Sequence, residues 1–166
     1  MIRRLLAAVA CAAALHCAAQ VTPAANYSDI WYNTSESGWG VTLTQHQSNN
    51  LFAVWYTYDP REPDPSQAGN FKPLWIVMPA SRWITPTQVT GDVYVTNGTP
   101  FFQPWSFNAT NPLPVTRVGT FTFTFSDTSH ATFAYSIAPP AGLASTDPAF
   151  GLPSFSGTKT IERQLF

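Results

Sequence analysis

The chain has 166 residues and a formal net charge of −1, with only 10% charged and 14% aromatic residues. Its 24 rings (six Trp, six Tyr, twelve Phe) rule out a disordered chain. The near-neutral balance supplies no electrostatic reason to bind nucleic acid or an anionic lipid surface.

The first residues, Met1-Ile2-Arg3-Arg4, are followed by an apolar run from Leu5 to Leu15 and then Cys17-Ala18-Ala19. A charged start, a short apolar stretch and a small-residue cleavage site predict a signal peptide over 1–19. A lipid anchor on Cys11 or Cys17 is the alternative. His16 before Cys17, and the very short apolar run before Cys11, argue against it. Arg3-Arg4 reads as an ordinary positive start rather than a twin-arginine signal, since no further part of that motif is present. Cleavage after Ala19 leaves 147 residues (166 less 19), which predicts a single domain over 20–166. That domain has no cysteine, so disulfides, thiolate catalysis and Cys–metal sites fall away together. The expected location is secreted or periplasmic.

From there the chain reads as strands. Asp29–Asn33 predicts a short first one. Trp39, Val41 and Leu43 alternate with Gly40, Thr42 and Thr44, and the polar turn His46–Asn50 follows. Leu51–Tyr58 is apolar on both faces: Phe52, Val54, Tyr56 and Tyr58 on one, Leu51, Ala53 and Trp55 on the other. Such a strand is covered on both sides, or turns one side to a ligand or partner. Leu74–Met78 and Val89–Thr96 continue the series. Phe121, Phe123 and Phe125 alternate with Thr122 and Thr124, and Phe133, Tyr135 and Ile137 with Thr132, Ala134 and Ser136. The polar stretch 127–130 between them predicts a hairpin of 116–126 with 131–138. Lys159–Phe166 closes the set.

About eight strands with no amphipathic helix after the leader predict an all-β fold, an antiparallel up-and-down meander closed into a barrel. A β-sandwich is the alternative. The interior of an eight-stranded barrel either fills with side chains or holds one small ligand. Two long loops stand out. Asp59–Lys72 is charged and carries Pro60, Pro63 and Pro65; Asn97–Pro114 carries Phe101, Phe102, Trp105 and Phe107. Each is a candidate lid or binding loop, or a cap on a barrel end.

Catalytic signals are sparse. His46 and His130 lie in predicted turns, neither with a second ligand at metal spacing, and no metal or cofactor is expected. There is no H-E-x-x-H, no G-x-S-x-G and no glycine-rich phosphate loop. Asp59, Glu62 and Asp64 could approach a Ca²⁺ ion, but their spacing is not that of an EF-hand and a solvated loop is the simpler reading. Asp29 and Glu36 are the carboxylate pair open to glycosidase-type chemistry. The sequons at Asn26, Asn33, Asn97 and Asn108 read as accidents of a Ser/Thr-rich composition.

Four motifs recur together: Trp31-Tyr32-Asn33, Ser37-Gly38-Trp39-Gly40, Trp55-Tyr56-Thr57-Tyr58-Asp59 and Pro73-Leu74-Trp75-Ile76. With the ending Ile161–Phe166, they make the chain resemble a family of secreted bacterial β-domains with no assigned activity. The resemblance implies a β fold and export. The Asp59–Lys72 loop departs from it, being longer than the short turn of that family.

Arg163 shares a face of the last strand with Ile161 and Leu165, so it points inward if they do, and a buried arginine needs partners. In lipocalin-like barrels an arginine near the chain end packs on a tryptophan near its start. Trp31 or Trp39 could serve here, making Trp31, Trp39 and Arg163 the expected closure set.

The function favoured by this composition is non-enzymatic binding of a small amphipathic or carbohydrate ligand through aromatic rings, with Trp55, Trp75, Trp83, Trp105, Tyr56 and Phe102 as candidate contacts. A structural or protein-interaction domain of the cell envelope is the second class, and a carboxylate-based hydrolase the third. No transmembrane segment is expected after the leader.

Overall fold

The computed structural model describes residues 20–61, 71–108 and 110–166. The predicted signal peptide with Cys11 and Cys17, and the acids Glu62 and Asp64, lie outside the described residues.

The described chain is all-β. It comprises β1 (Asp29–Asn33), β2 (Glu36–Gln45), β3 (Leu51–Tyr58), β4 (Pro73–Met78), β5 (Arg82–Thr85), β6 (Gln88–Thr96), β7 (Val115–Phe125), β8 (His130–Ile137) and β9 (Phe155–Arg163). No helix among the described residues is long and apolar enough to cross a membrane. All pairings are antiparallel, in the order β4-β3-β2-β1-β9-β8-β7-β6-β5, and a further β4–β6 contact closes the ring. The result is an eight-stranded barrel with β5 as an extra strand on the edge of β6. The sandwich alternative is not what forms.

Most strands fall where the alternation predicts them, with two corrections. β5 was not expected, because four residues are too few to show a period. The last strand starts at Phe155 rather than Lys159 and ends at Arg163. Its first half contains Ser156 and Gly157, poor strand formers on their own. The β8 ladder holds them, pairing Phe133 with Lys159, Tyr135 with Gly157 and Ile137 with Phe155.

Period-two geometry sends alternate side chains inward. Trp31, Val41, Leu43, Leu51, Ala53, Ile76, Met78, Val89, Phe121, Phe123, Phe133 and Ile161 fill the barrel axis and are fully buried. Phe123 and Phe133, opposite each other on β7 and β8, stack at 4.9 Å between ring centroids. The lumen is therefore a packed core.

Both ends are sealed. At one, the segment before β1 folds over the opening: Tyr27 stacks on Phe125 at 3.7 Å, and Ala24 N–H donates to the Pro86 carbonyl. At the other, the β8–β9 connection, 138–154, tucks Ala149 and Leu152 into the core. It is fastened by the Thr116 hydroxyl, which donates to Asp147 at 2.8 Å. A second fastening is Arg61, whose Nη1 donates to the carbonyls of Pro148 at 2.7 Å and Phe150 at 3.1 Å. The plug is thus this connection and not the 97–114 loop, whose Phe101 is 98% exposed and Phe102 and Trp105 largely so.

Arg163 lies over the Trp31 indole, 5.3 Å from guanidinium carbon to ring centroid. Its Nη2 donates to the Asn26 carbonyl, its Nε sits 3.8 Å from Asp29 without a hydrogen bond, and the Trp31 N–H donates to the Tyr27 carbonyl. Trp39 stands apart from this cluster and donates its indole N–H to Glu36.

Candidate functional site

The six aromatic candidates divide by strand register. Trp55 is inward-facing on β3, 8% exposed, among Trp39, Phe121, Phe133, Tyr135 and Phe155. Its indole N–H has no hydrogen-bond partner among the described residues. Trp83 on β5 is 5% exposed, packs near Tyr27 and Phe125, and donates to the Asn49 carbonyl. Both are core residues, and burial withdraws them from the contact set. Trp105 and Phe102 sit on the exposed 97–114 loop, each in edge contact with its loop neighbour, Phe107 or Phe101.

Tyr56 and Trp75 remain, and the structure brings them together. They are opposite partners in the β3–β4 ladder and both face outward. Their rings meet edge to face at 6.3 Å, and Trp75 is 64% exposed. Phe52 and Tyr58 continue the same outer face of β3 and are also exposed. Tyr58 lies over Gly38, where a Cβ would meet its ring at 3.3 Å. The apolar outer face of β3, noted from sequence, is therefore uncovered.

Beside this strip is a cleft of about 530 Å³. Trp75, Val77, Leu74 and Pro73 form one wall; Val95, Thr96 and Asn97 form the other; Asp59, Arg61, Lys72 and Pro148 close its end. It exists because β4 and β6 pair only at Val77 and Tyr94 and diverge beyond that point. The polar end is tied by hydrogen bonds. Arg61 grips Asp59 through Nε and Nη2, with Nη2 at 2.6 Å. Burial pushes the Asp59 carboxyl up, but hydrogen bonds from the Arg61 side chain and backbone, with the charges of Arg61 and Lys72, outweigh it. The net result is a carboxyl held below the usual range.

A pH dependence follows. The folded Asp59 resists a proton that the unfolded chain accepts, so its stabilisation is present above the unfolded value and lost as pH falls through the folded one. Stability declines on acidification from about pH 4 downward. Urea midpoints taken between pH 6 and pH 2 should fall less steeply for Asp59→Asn than for the parent protein.

The other chemistry-bearing candidates do not assemble. Asp29 and Glu36 lie at opposite ends of the β1–β2 hairpin, Asp29 opposite Leu43 and Glu36 opposite Asn33. Glu36 is held below the usual range by hydrogen bonds from Lys159 first, and then from Trp39. His46, exposed in a turn, is bonded to Ser48, and His130, expected in a turn but placed at the exposed start of β8, is bonded to Asp127. Among the described residues no three His, Cys, Asp or Glu side chains converge on a common point.

Sequence reasoning missed Arg61 as a fastener and Val77 and Asn97 as cleft walls. The uncovered face of β3 was the one available signal. No family model, curated protein or solved structure matches this chain.

Proposed function

We propose that this is an exported, non-enzymatic binding module that takes a carbohydrate on its outer wall rather than in its lumen. The observation that carries the reading is the exposed Trp75 ring, edge-packed on Tyr56 and beside a cleft with a polar end. A flat apolar ring with polar groups at its margin suits the face of a sugar, which offers C–H groups to the ring and hydroxyls to the rim. The packed core supports the choice of wall over lumen. The separation of Asp29 from Glu36, and the lack of any cluster of three His, Cys, Asp or Glu among the described residues, support binding over hydrolysis.

Trp75→Ala should weaken binding of a soluble oligosaccharide about tenfold or more. It should shift stability by no more than about 0.5 kcal/mol, since the ring is at the surface. A glycan array followed by calorimetric titration of any hit checks both. Unaltered affinity in Trp75→Ala would exclude the reading.

A second reading, a protein-interaction domain, draws on Phe101 and Phe102, which project from the 97–114 loop almost bare. Under it, Phe101→Ser with Phe102→Ser would abolish capture of a partner while Trp75→Ala would not.

A further inference from the structure

We propose that the tip of the 97–114 loop is an anchor that seats in the interfacial layer of a lipid bilayer, whatever the headgroup charge. This is independent of the Trp75 platform. It commits to lipid the same rings that a protein partner would use. The eighteen residues 97–114 include Phe101, Phe102, Trp105 and Phe107, and not one Asp, Glu, Lys, Arg or His.

The loop is built to hold its rings out. The Gln103 N–H donates to the Pro100 carbonyl at 2.9 Å, which makes Phe101 and Phe102 the two central residues of a turn. Those positions belong by preference to Gly, Asn, Asp, Ser and Pro. Below the turn the Thr99 and Ser106 hydroxyls meet at 2.7 Å and clasp the neck. The Asn111 side-chain amide donates to the Ser106 carbonyl at 3.0 Å and braces it. Pro100 and Pro104 fix the backbone on either side of the two phenylalanines. Phe101 is almost bare, and Phe102 and Trp105 are 73% and 65% exposed.

Charge and backbone chemistry decide what covers these rings. Protein interfaces use charged and polar groups around an apolar centre to steer encounter and fix register. This loop has no charge with which to do so. A bilayer asks for the opposite: each charge carried into it is costly, and here there is none to carry. The order of residues also fits a gradient of depth. Phe101 and Phe102 lead, Trp105 stands at the shoulder, and Ser106, Asn108 and Asn111 follow at the polar base. Tryptophan is enriched at the level of the headgroups, where its amphipathic ring is at home. The depth is limited by the backbone, since an unpaired N–H is not tolerated in hydrocarbon. Pro100 and Pro104 have no N–H and that of Gln103 is used in the turn. Within the tip, Phe101, Phe102 and Trp105 keep theirs for water or headgroups, so the rings enter the interface and no deeper. Three rings make a weak, reversible anchor, given that one myristoyl chain binds only marginally.

The test is sedimentation of the purified protein with vesicles of phosphatidylcholine, and with vesicles of phosphatidylcholine and phosphatidylglycerol in equal parts. Both should bind it equally, and added salt should not release it, because no charge is there to screen. Phe101→Ser with Phe102→Ser should lower the partition coefficient about tenfold or more. Its urea midpoint should match that of the parent, since both side chains are exposed. Phosphatidylcholine brominated in its acyl chains should quench tryptophan fluorescence in the parent. Trp105→Phe should still bind but lose that quenching. This signal belongs to the domain and not to the leader, as all six tryptophans follow residue 19. No binding to phosphatidylcholine would overturn the anchor and return the rings to a protein partner. Binding confined to the anionic vesicles and abolished by salt, a double serine variant that binds like the parent, or unchanged quenching in Trp105→Phe would overturn it as well. None of these outcomes touches the sugar platform, which is tested by Trp75→Ala.

Discussion

Gly119→Ala is expected to cost the protein a large share of its stability. Gly119 sits where β7 changes register against β6: Val93 opposes Gly119, Tyr94 opposes Arg117, and Val118 is the extra residue between. The bulge lets Val118, Gly119 and Thr116 all face the core side as the barrel bends. On its other flank Gly119 pairs with Ile137 of β8. A Cβ there would run into the Ser136 carbonyl oxygen, and would stand 2.9 Å from its carbon and 3.0 Å from the Ile137 Cα. These are backbone atoms, so no side chain can swing aside and β7 and β8 must part. Overpacking of this kind costs about 3 kcal/mol or more, a large share of the 5–15 kcal/mol of a typical domain. Gly98→Ala is the control, because nothing lies within 4 Å of that position. Urea denaturation should show a large loss for the first and none for the second.

Trp31→Ala should cost about 3–5 kcal/mol. The ring is fully buried, meets Phe125 edge-on at 5.4 Å, and its N–H is bonded to Tyr27. Its removal also strips the face on which Arg163 rests, where β1, the first strand, pairs with β9, the last. Arg163→Ala alone should cost less, because the cation–π contact is worth about 0.5–2 kcal/mol. A double-mutant cycle on urea midpoints should return a coupling of that size. Zero coupling would mean that the two side chains support closure independently.

How far the fold could be read from the sequence follows from where the physics is local. Phe121, Phe123 and Phe125 against Thr122 and Thr124 announce a strand with one buried face, and the barrel arises from a row of such strands. Phe155–Gly157 announces nothing, because its strand character comes from β8 and not from its own residues. The plug at 138–154 reads as a linker for a similar reason: only the placement of Ala149 and Leu152 beneath the barrel end makes it core. The site was legible in part. β3 carries aromatics on both faces, so its pattern does not say which face is wet. A shift of one residue would exchange Trp55 for Tyr56. The cleft was not legible, since it comes from the divergence of β4 and β6, a property of closure rather than of either strand.

The most direct test of the outer-wall account is a titration that watches all six tryptophan indole N–H signals by nuclear magnetic resonance while an oligosaccharide is added. The account predicts that the Trp75 signal moves with saturation and that those of Trp31, Trp55 and Trp83 stay fixed. Movement of the Trp55 signal, whose N–H lacks a partner in the core, with Trp75 unmoved, would place the ligand inside the barrel and contradict it.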